Sequence, residues 1–265
     1  MDKQNIFKSC SFHANKGDVV HVLVKDLTGA GFTVSLNDGA GAEEDTYSLT
    51  TTVAPPILPL LDKSGNEYTT VIIGAQEWIV ENFKSTIYAD DATIPNLTAN
   101  GDWLADVTGA YCWYSNNIGY KTPYGALYNW HAVNNAHGLA YLERGGVLEA
   151  GWRVPTNIEL AALVTYFGGD TIAGGPLKEI GNIHWDINVG ATNSSGLTFV
   201  GAGARSQADG SFGLIKEYTY NWSGNEQDVD YAYNLIINNY SIVVEVAEYS
   251  SKIRGVSVRL VRDIV

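Results

Sequence analysis

The apolar positions of this chain fall mostly into short extended runs separated by turns. Residues 19–24 (VVHVLV) are a β-branched run, residues 32–36 (FTVSL) alternate, and residues 47–53 (YSLTTTV) are a third extended piece. Asn37-Asp38-Gly39 carries strong turn chemistry between them. Together they predict a small all-β domain over residues 1–54. About fifty residues bury too little surface to be stable alone, so such a domain leans on a neighbour. Pro55, Pro56 and Pro59 then stiffen an extended linker, residues 55–61, whose apolar side chains favour packing.

From Asp62 onward the pattern is mixed. Residues 62–66 (DKSGN) read as a turn, residues 67–73 as a strand, and residues 78–83 as its return after a second turn. Tyr124, Leu127, Tyr128 and His131 have helical spacing, which predicts a helix over 124–133. The best helix signal is residues 156–167. Pro155 stops what precedes it, Thr156 and Glu159 have capping-box spacing, and Gly168 or Gly169 supplies the stop. The last pieces, 231–237, 241–246 and 255–262, read as strands. The fold class is therefore α+β: a loop-rich domain, residues 62–265, behind a small all-β N-terminal domain.

Composition narrows the function. Charged residues are only 17% of the 265, while apolar residues are 45% and aromatic residues 11%. Disordered chains show the reverse bias. No run of about 18 apolar residues occurs, so no membrane insertion is expected. The net charge of −13 makes nucleic acid and anionic lipid poor partners. Cys10 and Cys112 are far apart with no CxxC and no Cys/His ligand spacing, so both are expected as free thiols, with no metal and no cofactor. Met1 leads into no apolar segment of the kind a secretory signal needs.

Seven blocks in order carry a resemblance: Asp62-x-x-Gly65-Asn66-x-Tyr68 running to Gly74 with Trp78-x-x-Glu81-Asn82; residues 109–114; residues 124–130; residues 151–156; Leu177-Lys178-Glu179 with His184-Trp185; residues 190–196; and residues 255–263. Over about 62–264 they resemble the Fibrobacter succinogenes major paralogous domain, common in Bacteroidota surface proteins. Residues 152–159 and 257–262 also resemble the formylglycine-generating-enzyme group. The resemblance implies a C-type-lectin-like fold with two helices, a small twisted sheet and adjacent termini. It makes Trp78, Trp113, Trp130, Trp152 and Trp185 core markers. The oxidase chemistry of that group needs late cysteines. None follows Cys112, and no G-x-S-x-G occurs, so no catalytic residue and no enzyme activity are expected. Asp186 and Asn188 only faintly resemble the lectins' calcium-ligand strand.

Binding chemistry concentrates in 218–254. The candidate ligand-binding residues are Tyr218, Tyr220, Asn221, Asp228, Asp230, Tyr231, Tyr233, Asn238, Asn239 and Tyr240. Tyrosine offers large area with few rotors, and Asn, Asp and Ser offer adaptable hydrogen bonding. By strand alternation Tyr231 and Tyr233 share one face, while Asp230, Ala232 and Asn234 share the other, and one set is inward. The stretch resembles the variable segments of retroelement-diversified lectin-fold proteins, which present a receptor-binding face. The leading expectation is a phage virion component (fibre, tail or decoration protein) that displays the lectin-like domain for host-surface attachment. Residues 218–254 would meet a host glycan or protein. Residues 1–54 would bind other virion subunits or further copies of the chain, in a homo-oligomer. A bacterial cell-surface or pilus-associated adhesin and a purely structural assembly protein are the alternatives.

Overall fold

Glu67 and Phe83 bracket a predicted hairpin that does form, with strands shorter than the apolar runs suggest. The computed structural model describes residues 58–264. The small β-domain expected over 1–54, with its partner role, and residues 55–57 of the linker lie outside the described residues. In chain order the elements are β1 (Leu60–Leu61), β2 (Glu67–Tyr68), β3 (Thr70–Ile73), β4 (Gln76–Ile79), α1 (Asn100–Ala105), β5 (Tyr111–Cys112), α2 (Lys121–Tyr124), β6 (Leu127–Tyr128) and α3 (Trp130–Val133). There follow β7 (Glu143–Arg144), β8 (Val147–Leu148), α4 (Asn157–Tyr166), α5 (Gly174–Leu177), β9 (Ala202–Arg205), β10 (Phe212–Ile215), β11 (Tyr218–Glu226), β12 (Tyr231–Asn238), β13 (Val244–Ser251) and β14 (Val261–Asp263).

Short strands assemble into four small sheets. The largest has the order β10-β9-β11-β12-β13; the others are β2-β1-β7-β8, β14-β4-β3 and β5-β6. β3 and β4 are joined through Gly74-Ala75, and Gly74 takes φ +60°, the backbone a tight hairpin needs at its first central residue. β14 pairs antiparallel with β4, Val261 opposite Trp78, so the two ends of the described region meet in one sheet. The α+β class holds, with strands outnumbering helical turns.

The helix over 157–166 forms as its cap chemistry predicts. Thr156 Oγ1 accepts from the Glu159 N–H at 3.2 Å, and Glu159 Oε2 accepts from the Thr156 N–H at 2.8 Å. Gly168 and Gly169 follow with φ +98° and +94°, which ends the helix. The helix predicted over 124–133 does not form. Leu127 and Tyr128 are instead a strand opposite Tyr111 and Cys112, and only Trp130–Val133 make a helical turn. Tyr124, Leu127 and Tyr128 are buried because they lie between several neighbours, and such all-round burial mimics helical periodicity. Asn129 starts the turn by accepting from the Ala132 N–H, so the chain cannot be helical before it.

Three further boundaries differ. The linker ends early, because Leu60 and Leu61 pair with both β2 and β7 and Leu60 is buried. The strand predicted over 241–246 begins only at Val244, since the Ser241 hydroxyl accepts from the Val243 N–H and holds a turn. The strand predicted over 255–262 is broken into single bridges at Gly255, Val256 and Ser257 before β14 begins.

All seven tryptophans are buried, and the two outside the family-like blocks, Trp103 and Trp222, are fully so. Several of the indole N–H groups bond main-chain carbonyls within 3.0 Å, among them Trp130 to Ser223, Trp185 to Phe199 and Trp222 to Tyr128. The bonds of Trp130 and Trp222 join elements more than 90 positions apart, so aromatic cores can hold a fold this poor in regular structure.

Candidate functional site

Register divides the predicted site between the two faces of the five-stranded sheet. Opposed residues of an antiparallel pair share a face. Tyr218 opposes Asn238, Tyr220 opposes Ile236 and Trp222 opposes Asn234, which defines one face. Thr219 opposes Ile237 and Asn221 opposes Leu235 on the other. Leu235, Ile237 and Val244 of that second face pack with Leu160, Leu163 and Val164 of α4. Tyr231 and Tyr233 alternate with Leu235, so they lie on the helix-bearing face, with Tyr249 opposite Tyr233. Ala232 and Asn234 are the inward set, pointing to the Trp222 core.

At one end of the Trp222 face an aromatic ladder runs from the core to the surface, with Tyr220 buried, Tyr218 half-buried and Tyr240 exposed. Tyr240 is 57% exposed and meets Tyr218 edge-on, ring centroids 5.9 Å apart, with their hydroxyls 2.7 Å apart. Tyr218 stacks on Tyr220 at 5.8 Å and 15°. The Arg254 guanidinium lies 3.9 Å from the centre of the Tyr220 ring. Hydrogen bonding to Tyr240, then burial, pushes the Tyr218 phenol up to about 12. Burial raises Tyr220 as well, with Arg254 pulling the other way. Both are neutral hydroxyls at physiological pH and can donate as well as accept.

Arg254 also lines a depression of about 290 Å³, together with Ala204, Ser206, Gln207, Ser211, Phe212, Gly213 and Leu214. A turn over 206–211 forms one wall. There the Ser206 N–H bonds the Ser211 carbonyl at 2.7 Å and the Ser211 hydroxyl donates to Asp209 at 2.7 Å.

The remaining predicted residues are not on this surface. Asn221, Asn238 and Asn239 are buried, as is Tyr220 apart from what Tyr218 and Arg254 leave open. Asn238 presents its carbonyl to the Lys178 ammonium at 3.2 Å, and Asn239 binds the Lys216 carbonyl at 3.4 Å. Both hold the end of the hairpin. Asp228 is a turn residue whose Oδ1 accepts from the N–H groups of Asp230 and Tyr231. Asp230 is exposed and offers its carbonyl to the Lys252 N–H. Tyr231 and Tyr249 form an exposed edge-on pair at 5.5 Å on the opposite face. The structure therefore brings together Tyr218, Tyr220 and Tyr240 and separates Tyr231 and Tyr233 from them.

Arg254 is the residue that sequence reasoning missed. Its signal was present: it is the only arginine between Arg205 and Arg259, inside a stretch whose ionic residues are mostly acidic.

Among the described residues no group of three or more His, Cys, Asp or Glu is placed to hold a metal, and no helix is long and apolar enough to cross a membrane. No curated protein and no solved structure matches the chain. The model of the Fibrobacter succinogenes major domain matches residues 71–262, which takes in all of the strands that carry the ladder and more than two thirds of the sequence. The chain is a member of the Fibrobacter succinogenes major domain family.

Proposed function

We propose that this chain is a non-enzymatic binding protein that presents the Tyr218–Tyr220–Tyr240 face to a glycan. The observation that carries the reading is the ladder itself: Tyr240 meets Tyr218, Tyr218 stacks on Tyr220, and Arg254 links Tyr220 to a depression lined by hydroxyl and amide groups. Sugar rings stack on aromatic faces, and neutral polar groups satisfy their hydroxyls. A C-type-lectin-like arrangement fits this reading, because β4 near the start and β14 at the end of the described region pair in one sheet.

The setting we propose is a virion component displayed for attachment to a host surface, with residues 1–54 as the anchoring or self-associating part. Glycan-array binding by the full chain tests the ligand class. Tyr218→Ala and Tyr240→Ala are expected to lower binding about tenfold each while leaving tryptophan fluorescence native. Unchanged binding by both variants would remove this face from consideration. Electron microscopy of particles labelled with antibody to the chain tests the setting, and label absent from every particle would overturn it.

A further inference from the structure

We propose that the site selects an acidic sugar, with Arg254 binding its carboxylate at the mouth of the depression. This deepens the glycan reading and rests on it. The chain has six arginines, all among the described residues. Arg144, Arg153 and Arg262 are paired with carboxylates. Arg205 and Arg259 are fully buried, and their guanidinium groups are filled by oxygens of Gly210, Leu97, Thr98, Asn100, Asn82, Leu197 and Thr198. Arg254 alone is partly open and without a carboxylate partner among the described residues, in a chain with 29 acidic residues against 16 basic ones. A guanidinium clear of every described carboxylate in so acidic a chain is open to an external anion.

The surroundings orient it. One face of the guanidinium is held against the Tyr220 ring, which fixes its plane. Nη1 makes a long bond of 3.4 Å to Ser250 Oγ, and Ser250 Oγ also accepts from Asn234 Nδ2 at 2.6 Å. Arg254 Nε and Asn234 Oδ1 are buried without a hydrogen-bond partner among the described residues. The terminal nitrogens are the ones a ligand can reach: Nη1 makes only that long bond and Nη2 none among the described residues, so the outer edge of the fork has donors to spare for two-point binding of a carboxylate. Ser206, Gln207 and Ser211 supply hydroxyl and amide groups for a sugar ring, and Phe212 and Leu214 supply its apolar floor. At about 290 Å³ the depression is at the small end of ligand sites, room for one sugar unit, with the tyrosine ladder receiving the next. The −13 net charge opposes an acidic ligand at long range, so recognition depends on this contact and on moderate salt.

The test uses the full chain against trigalacturonic acid and its methyl ester, which differ in charge and by one methyl group at each carboxyl, beside the glycan array. The acid is expected to bind at least tenfold tighter than the ester. Arg254→Met, which keeps the stem over Tyr220, is expected to abolish that preference, and Arg254→Lys to retain part of it. Equal binding of acid and ester, neither binding, or an acid preference that survives Arg254→Met would each overturn the assignment. Neutral glycans bound on the array with loss in Tyr218→Ala would then leave the glycan reading standing. An empty array would overturn both.

Discussion

Arg259 Nε donates to Asn82 Oδ1 at 3.1 Å, joining two residues 177 positions apart inside the core. The guanidinium also donates to the Leu197 and Thr198 carbonyls and lies 3.8 Å from the centre of the Phe199 ring. Asn82 in turn donates to the Tyr124 carbonyl at 2.9 Å. One buried cation thus ties the segment after β4 and the loop before β9 to the segment that leads into β14. Removing it strands several buried acceptors, each costing about 1–3 kcal/mol. Arg259→Met is expected to lower the unfolding free energy by at least about 3 kcal/mol in urea titration. A double-mutant cycle with Asn82→Ala should give a coupling of about 1–3 kcal/mol, as for residues in one network. A coupling below about 0.5 kcal/mol would show the pair to be independent.

The Thr156 cap gives a smaller, local prediction. Its hydroxyl lies 2.9 Å from Glu159 Oε2, and Glu159 also receives Arg153, which reaches on to Asp263 at 2.8 Å. Thr156→Ala is expected to destabilise by about 1–2 kcal/mol, and Thr156→Ser by only a few tenths. Equal losses for the two variants would assign the effect to packing of the threonine methyl group.

How far these features were legible depends on whether one element or several must be known. The cap of α4 is written in adjacent residues, so Thr156, Glu159 and Gly168 declare it. Tyr231 and Tyr233 were correctly placed on one face with Ala232 and Asn234 opposite, because alternation within a strand is local. That Tyr218 and Tyr231 lie on opposite faces is set by the register of β11 on β12 and the irregularity between Trp222 and Glu226, which no single stretch encodes. Arg254 escaped for the same reason. Its partner Tyr220 is far away in sequence, and its freedom is visible only once the other arginines have found theirs. The helix expected at 124–133 failed because residues buried on all sides imitate a periodic stripe.

Cys112 is fully buried, and that burial pushes its thiol up to about 12, against the pull of nearby Arg205. The thiolate is the reacting species, so the native side chain is expected to be inert at pH 8. A Cys10→Ser variant isolates it. Ellman's reagent should then release no colour over an hour from folded protein and one equivalent after denaturation. Prompt reaction in the native state would mean that the core around Trp103 and Leu127 opens readily.

Lys178 offers a test with a sign. It is fully buried, and its ammonium donates to the carbonyls of Val189 and Ser241 at 2.8 Å and of Asn238 at 3.2 Å. No described carboxylate pairs with it, and burial lowers its pKa from 10.5 to about 8. The unfolded chain therefore holds this proton more tightly than the folded one. Below pH 8 both states are protonated and the cost of burying the charge is constant. Between about pH 8 and 10.5 the unfolded state binds more protons, so stability contributed by this group rises with pH. Lys178→Met removes the group but leaves every tyrosine and cysteine, so their titrations cancel in the comparison. Urea unfolding at pH 7.5 and pH 10 should show wild type gaining on the variant at the higher pH. A difference that stays flat, or that shrinks, would mean that the three carbonyls stabilise the ammonium enough to offset its desolvation, and that the lysine holds its proton in the fold.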